Sequence, residues 1–251
     1  MNDRRKQTSN NTNHSGKKQL NLIENSLENY NNFITKKFIQ YSKFDKSQNF
    51  ETKNYFRVLD FGAGKGSIAL NWKNRTGQHI ECLEPDVELQ SELRTLKFTC
   101  WDSISAVKGK FNFIFSSNVL EHIKNDEEVI KDLANLLENN GRICTYVPAF
   151  MVLFSELDYK VGHYRRYRKK ELISKIEYSP LKIIRIEYVD SLGFFVTLLF
   201  KIVNWEKTNL LTFRTLKFYD NIIFPISFLL DKVTNGKILG KNILLTAQKI
   251  S

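Results

Sequence analysis

Asp60, the glycines that follow it, and Glu84 are the residues whose types and spacing say most about chemistry. The apolar run Val58-Leu59 leads into Asp60 and Phe61, and glycines then fall at alternate positions in Gly62-Ala63-Gly64-Lys65-Gly66. Glycines after a buried strand let the backbone approach a ligand closely and turn sharply into a helix. A carboxylate just ahead of them sets a like charge against any phosphate at that helix start. The dinucleotide fingerprint also needs a glycine at the sixth loop position, which here is Ser67. The nucleotide P-loop needs a glycine five residues before its Gly-Lys pair and a Ser or Thr after it; those positions hold Leu59 and Gly66. Lys65 therefore reads as a solvated loop residue. The pattern leaves a nucleoside ligand that carries an ammonium group and no phosphate.

More polar groups follow at the ends of later strand-like runs. Glu84 lies 24 residues after Asp60, where an acid can accept hydrogen bonds from both hydroxyls of a ribose. Pro85 next to it marks a turn, with Asp86 capping the following helix. Asp102 comes after Trp101 and before Ser103; it is either a ligand acceptor or an Asx-turn ending its strand. Trp101 could stack on a base or fill the core. Asn118 opens Asn118-Val119-Leu120-Glu121-His122. His122 and His163 both titrate near neutral pH, so either could remove a proton. His122 could instead hold the neighbouring loop at a helix start. In Gly162-His163-Tyr164-Arg165-Arg166-Tyr167, the arginines could fork a substrate carboxylate or phosphate. Alternatively they pair with Asp158 and other nearby acids to fold the loop.

The stretch from Val58 to Ala69 resembles motif I of the class I methyltransferases. Their cofactor, S-adenosyl-L-methionine, is a nucleoside with an ammonium group, and its product is S-adenosyl-L-homocysteine. The resemblance implies that Asp60 orients the methionine end, that Asp102 accepts from the adenine amino group, and that the next backbone N–H, that of Ser103, donates to the ring. Val119-Leu120-Glu121-His122 looks like the motif of members acting on quinones, lipids and small metabolites. The Asp/Asn-Pro-Pro-aromatic motif of base N-methyltransferases is absent at this place. Val147-Pro148-Ala149-Phe150, Asp158, the Gly162–Tyr167 run and the segment Asn31–Tyr41, with Phe33 where a tryptophan is usual, resemble one bacterial subfamily. That match spans about residues 30 to 250. The subfamily's substrate is generally unassigned, and some members occur alongside glycosyltransferases that use lipid-linked sugars.

The elements that must position these residues alternate. Strands are expected at 56–61, 79–84, 97–101, 111–117 and 142–148, and helices at 66–75, 86–95 and 125–138, with Asn139-Asn140-Gly141 as a stop signal. Such alternation predicts an α/β, Rossmann-like, doubly wound sheet that is mainly parallel. In the methyltransferase pattern it has seven strands and a last antiparallel strand, here 242–249, plus helical additions. Ligands bind beyond the carboxyl ends of such strands. Upstream, apolar residues from Leu20 to Tyr41 recur at helical spacing. Residues 149–168 read as a long loop, followed by a helix at 169–177 and a strand at 182–189. Ser191–Asn204 and Ile222–Leu230 are strongly apolar, with Pro225 a kink or a helix start. They read as a packed helical cap, or as a groove or interfacial surface for lipid with Lys201 and Lys207 near headgroups. Residues 1–18 read as a disordered basic tail and 19–251 as one methyltransferase domain, with 149–178 and 190–240 as substrate-side insertions.

The chain has 251 residues, a net charge of +11, 42% hydrophobic residues and four prolines. That composition is globular, and the charge favours anionic partners. The expected partner is an anionic small molecule, a glycan or a lipid-linked substrate, with peripheral contact to an anionic membrane as a further expectation; nucleic acid is disfavoured. Cys82, Cys100 and Cys144 form no Cys-x-x-Cys pair. They read as reduced core thiols of a cytoplasmic protein, and no metal site is expected. The activity expected is in-line methyl transfer, to oxygen of a small, sugar-containing or lipid-linked acceptor. A nucleic-acid methyltransferase and a non-catalytic S-adenosylmethionine-binding protein are the alternatives.

Overall fold

A computed structural model describes Leu22 and residues 26–44, 56–203 and 212–250. The expected tail over 1–18 and Lys207 lie outside the described residues. Seven strands form one sheet: β1 (Val58–Phe61), β2 (Glu81–Leu83), β3 (Thr99–Trp101), β4 (Phe111–Ser117), β5 (Leu137–Pro148), β6 (Leu181–Val189) and β7 (Asn242–Lys249). Their order is β3-β2-β1-β4-β5-β7-β6. Pairings among β1 to β5 are parallel, whereas β7 runs antiparallel to both β5 and β6. The order reverses beside β1, so the loops after β1 and β4 diverge and leave a crevice at the carboxyl end of the sheet.

Buried side chains divide between the two faces. On one, Trp72 of the helix Ser67–Thr76 stacks on Phe113 and Phe115 at 5.6 Å, and Phe38 of the helix Glu28–Ser42 stacks on Phe115 at 4.8 Å. Tyr30, Ile34 and Phe38 form the buried stripe of that first helix, four residues apart, which is why the sequence reads as amphipathic. On the other face, Ile130 and Leu133 of the helix Asp126–Asn135 and Leu172 and Ile176 of the helix Lys169–Glu177 cover Ile114, Ile143 and Leu245. Central strands are covered on both faces, and all four residues of Val58–Phe61, Asp60 included, are buried. Cys82 and Cys144 are buried and Cys100 is half-buried, all as free thiols. Burial pushes the Cys144 thiol up to about 12, so it stays protonated and inert.

Three boundaries differ from the sequence reading. The helix before β5 ends at Asn135, and Asn139-Asn140-Gly141 lies within the strand. There β5 bulges: Phe111 pairs with Leu137, but Phe113 pairs with Arg142. Asn140 takes φ 64°, and a Cβ on Gly141 would sit 2.9 Å from the Glu138 carbonyl oxygen. The turn signal was real but served a bulge. The expected loop at 149–168 contains the helix Glu156–Val161, started by a capping box between Ser155 and Asp158. The cap comprises the helices Ser191–Ile202, Phe213–Phe218 and Phe224–Thr234, the last of which packs against the first, against the helix Glu28–Ser42 and against β6. A π-helical turn at Tyr219–Ile223 leads into Pro225. Proline lacks the N–H that an α-turn would use there, and the wider turn absorbs the loss.

Candidate active site

The crevice has two halves. In the first, the loop after β1 is fastened to the end of β2: the backbone N–H groups of Gly62 and Ala63 both donate to the Leu83 carbonyl, at 2.8 and 3.1 Å. Gly62, Gly64 and Gly66 have φ of 74°, 54° and 80°, conformations that cost other residues roughly 1–2 kcal/mol. Their surroundings differ. A Cβ on Gly62 would lie 2.5 Å from Val119 Cγ2, and one on Gly66 would lie 2.7 Å from Leu93 Cδ2, whereas one on Gly64 meets nothing within 4 Å. Gly62 and Gly66 allow close packing, and Gly64 borders open space. Asp60 is buried at the end of β1, paired in register with Cys82 and Phe115.

Glu84 is buried and bridges two loops. Its Oε2 accepts from the Gly64 N–H at 2.9 Å and its Oε1 from the Asp86 N–H at 3.0 Å. Each carboxylate oxygen has a further lone pair, so a ribose hydroxyl can be added to this arrangement. Pro85 separates Glu84 from Asp86, which caps the next helix by accepting from Glu88 and Leu89 N–H. Asp102 is exposed and accepts from Ser103 Oγ at 2.7 Å. Trp101 packs against the core and donates from Nε1 to Glu81 at 2.9 Å, so its indole is committed away from the crevice. Asn118, with φ 54°, turns the chain after β4 and donates its N–H to the Tyr146 carbonyl.

In the second half, Leu120–His122 is a single 3-10 turn, and not the helix start that the sequence suggests; the helix begins at Asp126. The loop after β5 folds back over it. The Tyr164 N–H donates to the Glu121 carbonyl, and Phe150 N–H and Tyr167 N–H stitch the loop's end to β5. This brings His163 against His122, with ring centroids 4.5 Å apart and the planes at 80°. Asp158 Oδ1 accepts from His163 Nδ1 at 2.7 Å and from Arg166 Nε at 2.9 Å. Burial pushes the Asp158 carboxyl up, but the His163 hydrogen bond and the Arg166 charge outweigh it and hold the group well below the usual range. Burial, helped by His163, lowers His122 to about 4. Glu121 has 0% exposure, and burial raises it to about 8 despite Arg166. One donor atom each from Glu121, His122 and His163 lies within 4.8 Å of the others.

The remaining residues read as substrate contacts are placed as follows. Tyr164 is 57% exposed. Arg165 pairs with Asp126 at 2.9 Å and donates to the Lys124 carbonyl. Arg166 is buried on Asp158, and Tyr167 is buried with its hydroxyl donating to Asp126 at 2.7 Å. Three of the four thus spend polar groups on folding the loop. The structure also adds residues that sequence reasoning passed over. Tyr30 and Tyr146 share a hydroxyl–hydroxyl bond at 2.8 Å, and Asn242 donates to Tyr30 at 2.8 Å. Lys241 stands over the Tyr30 and Tyr219 rings at 5.8 and 5.3 Å. Because β7 is antiparallel, its first residues arrive at the ligand end of the sheet, a signal present once that direction is expected.

Comparison with known proteins gives the family and the fold. A family model described as a methyltransferase domain matches residues 26–178. No curated protein sequence matches the chain. Among solved structures, geranyl diphosphate C-methyltransferase from Streptomyces coelicolor A3(2), in complex with Mg2+, geranyl diphosphate and S-adenosyl-L-homocysteine, superposes with a TM-score of 0.56 at 11% identity, over 86% of this chain and 76% of that one. The [4+2]-cyclase SpnF gives 0.56 at 14% identity, over 87% and 80%. Likeness at such identities establishes the fold alone. The residues after β1 and β2 suit the methyltransferase cofactor: a buried carboxylate at the first strand end, an unobstructed glycine and a bridging Glu84. The chain belongs to the methyltransferase domain family and is an α/β, Rossmann-like enzyme that uses S-adenosyl-L-methionine.

Proposed function

We propose that the enzyme moves the methyl group to an oxygen of a small, sugar-containing or lipid-linked acceptor, with His163 as the base. The observation that carries this reading is the hydrogen bond from His163 Nδ1 to the buried Asp158, which fixes the ring and leaves Nε2 as the basic atom. In the step, His163 Nε2 takes the hydroxyl proton while the acceptor oxygen attacks the methyl carbon. Bound S-adenosyl-L-methionine would supply the activated methyl group and leave as the neutral thioether S-adenosyl-L-homocysteine, which keeps the electron pair of the broken carbon–sulfur bond. His122, lowered to about 4, is neutral near pH 7 and orients its neighbour.

On the cofactor side, we assign Asp60 to the ammonium group, Gly62, Ala63, Gly64 and Gly66 to the backbone cradle, and Glu84 with Pro85 to the ribose. Asp102, Ser103 and Asn118 border the base and the methyl end. The acceptor enters beside Tyr164 and along the loop closed by Arg165, Arg166 and Tyr167. These roles rest on the positions described above and on the methyltransferase pattern.

The cap supports a lipid-linked acceptor delivered at an anionic membrane surface. Phe195, Leu199 and Ile202 are exposed on one cap helix, and Phe218, Leu229 and Val233 on the following ones. Among the described residues the cap's carboxylates are spent internally: Asp190 accepts from Gly193, Asp220 from Asn29 and Tyr30, and Asp231 from Asp190 and Ser191. Lys201, Arg214, Lys217 and Lys232 are the basic groups of its described helices, with Lys217 3.9 Å from Glu28. Exposed apolar side chains beside basic groups suit an interfacial surface. Among the described residues no helix is long and apolar enough to cross a membrane.

The test is transfer of labelled methyl from the cofactor into a cell extract, separated into lipid, glycan, nucleic-acid and protein fractions. Label in the lipid or glycan fraction supports the proposal, and label confined to nucleic acid overturns it.

A further inference from the structure

Glu121 is fully buried, and neither of its carboxylate oxygens has a hydrogen-bond partner. An ionised carboxylate in that position is costly unless a cation or a proton meets it. Arg166 does not fully supply the cation. Its Nε and Nη2 donate to Asp158 at 2.9 and 3.0 Å, and its buried Nη1 has no partner. Arg166 is committed by two hydrogen bonds to Asp158 and makes none to Glu121.

The atoms facing that charge are imidazole nitrogens. His163 Nε2 lies 3.9 Å from Glu121 Oε1, and His163 Nδ1 is tied to Asp158. A carboxylate holding the far nitrogen of a histidine is the outer-shell device that fixes a metal-ligating tautomer. The His122 ring stands against the His163 ring, with centroids 4.5 Å apart. The donor set of two imidazoles and one carboxylate is that of open three-ligand sites for transition metals. Donor atoms within 4.8 Å of one another reach a common ion at about 2 Å with side-chain adjustments of roughly an ångström.

From this arrangement we infer that Glu121, His122 and His163 form a binding site for a divalent transition-metal ion, Zn2+ foremost. The inference stands on the geometry of the cluster and goes beyond the reading of His163 as a base. It adds a consequence for that reading: metal and proton compete for His163 Nε2, so a loaded site withholds the base.

Calorimetric titration of the metal-stripped full-length chain with ZnCl2, beside MgCl2, tests it without knowledge of the acceptor. The expected result is one Zn2+ per chain and no comparable Mg2+ binding. Glu121→Gln and His163→Ala should each weaken Zn2+ by more than the roughly 10- to 100-fold that outer partners cost, and Asp158→Asn by about that range. His79→Ala, at a half-buried histidine paired with Thr99, should change nothing. S-adenosylhomocysteine binding, measured in the same samples, separates a failed metal site from a failed cofactor site or a misfolded chain. If Glu121→Gln does not fold, the visible spectrum of Co2+-loaded wild type decides: nitrogen and oxygen ligation supports the site, and thiolate charge-transfer bands overturn it. A folded wild type that binds S-adenosylhomocysteine but no Zn2+ also overturns it, as does Zn2+ binding indifferent to Glu121 and His163.

Discussion

The two halves of the crevice are built differently. The cofactor half is local: Asp60, the glycines and Glu84 fall within 25 residues, and backbone N–H groups and carbonyls do most of the fastening. The acceptor half is assembled at long range. Glu121 and His122 meet His163 about forty positions later, Asp158 ties His163 to Arg166, and Tyr30 meets Tyr146 and Asn242. The first half is a backbone shape that admits one class of ligand. The second is a set of buried polar groups whose charges depend on one another, so its chemistry can change when one member does.

This contrast predicts opposite responses to substitution. The largest effect falls in the acceptor half: Asp158→Ala leaves Arg166 buried without its partner and should cost about 3–5 kcal/mol of stability. Urea unfolding would measure it, with S-adenosylhomocysteine affinity at subdenaturing conditions nearly unchanged. Gly62→Ala comes next, at about 2–4 kcal/mol, because it adds a positive-φ penalty to a clash with Val119. Gly64→Ala carries only the φ penalty of roughly 1–2 kcal/mol, yet should lose cofactor affinity, since its methyl enters open space. Thermal melts and calorimetry on the two variants would separate packing from ligand contact.

Asp60→Ala should lower S-adenosylhomocysteine affinity by about 1.5–3 kcal/mol, the range for a hydrogen bond to a charged group, with the circular dichroism spectrum retained. The smallest effect lies outside both halves. Glu187 accepts from Lys37 at 2.9 Å, from Tyr41 at 2.8 Å and from Arg185. Burial raises its carboxyl, but these partners outweigh burial and set it below its usual value. A depressed carboxyl contributes stability that is present above its unfolded value, about 4.3, and lost as pH falls through the folded value. Glu187→Gln should therefore lower the melting temperature at pH 7 by a few degrees, and the gap should close as pH falls through the folded-state value. A gap that persisted in acid would mean the hydrogen bonds matter and the charge does not.

How much of each half could be read in advance follows from the same contrast. Val58–Phe61, Gly62–Gly66 and Glu84 were legible because strand, turn and acid are adjacent in sequence. The sheet order and the antiparallel last strand were legible through the methyltransferase pattern. Asn139-Asn140-Gly141 misled because a turn signal and a bulge signal use the same residues. Ser155-x-x-Asp158 is a capping-box spacing that went unread inside an expected loop, although it was the one local clue to the helix that carries Asp158. Glu121 looked like part of a motif, but that its carboxylate oxygens find no hydrogen-bond partner is a property of burial. Lys241 and Asn242 had no signal of their own, since only the direction of β7 brings them to the ligand end.

The most direct measurement is a calorimetric titration of the wild-type chain with S-adenosylhomocysteine and, separately, with NADH. The account predicts one molecule of S-adenosylhomocysteine bound per chain and no binding of NADH. A folded protein that bound NADH, or that failed to bind S-adenosylhomocysteine, would contradict it.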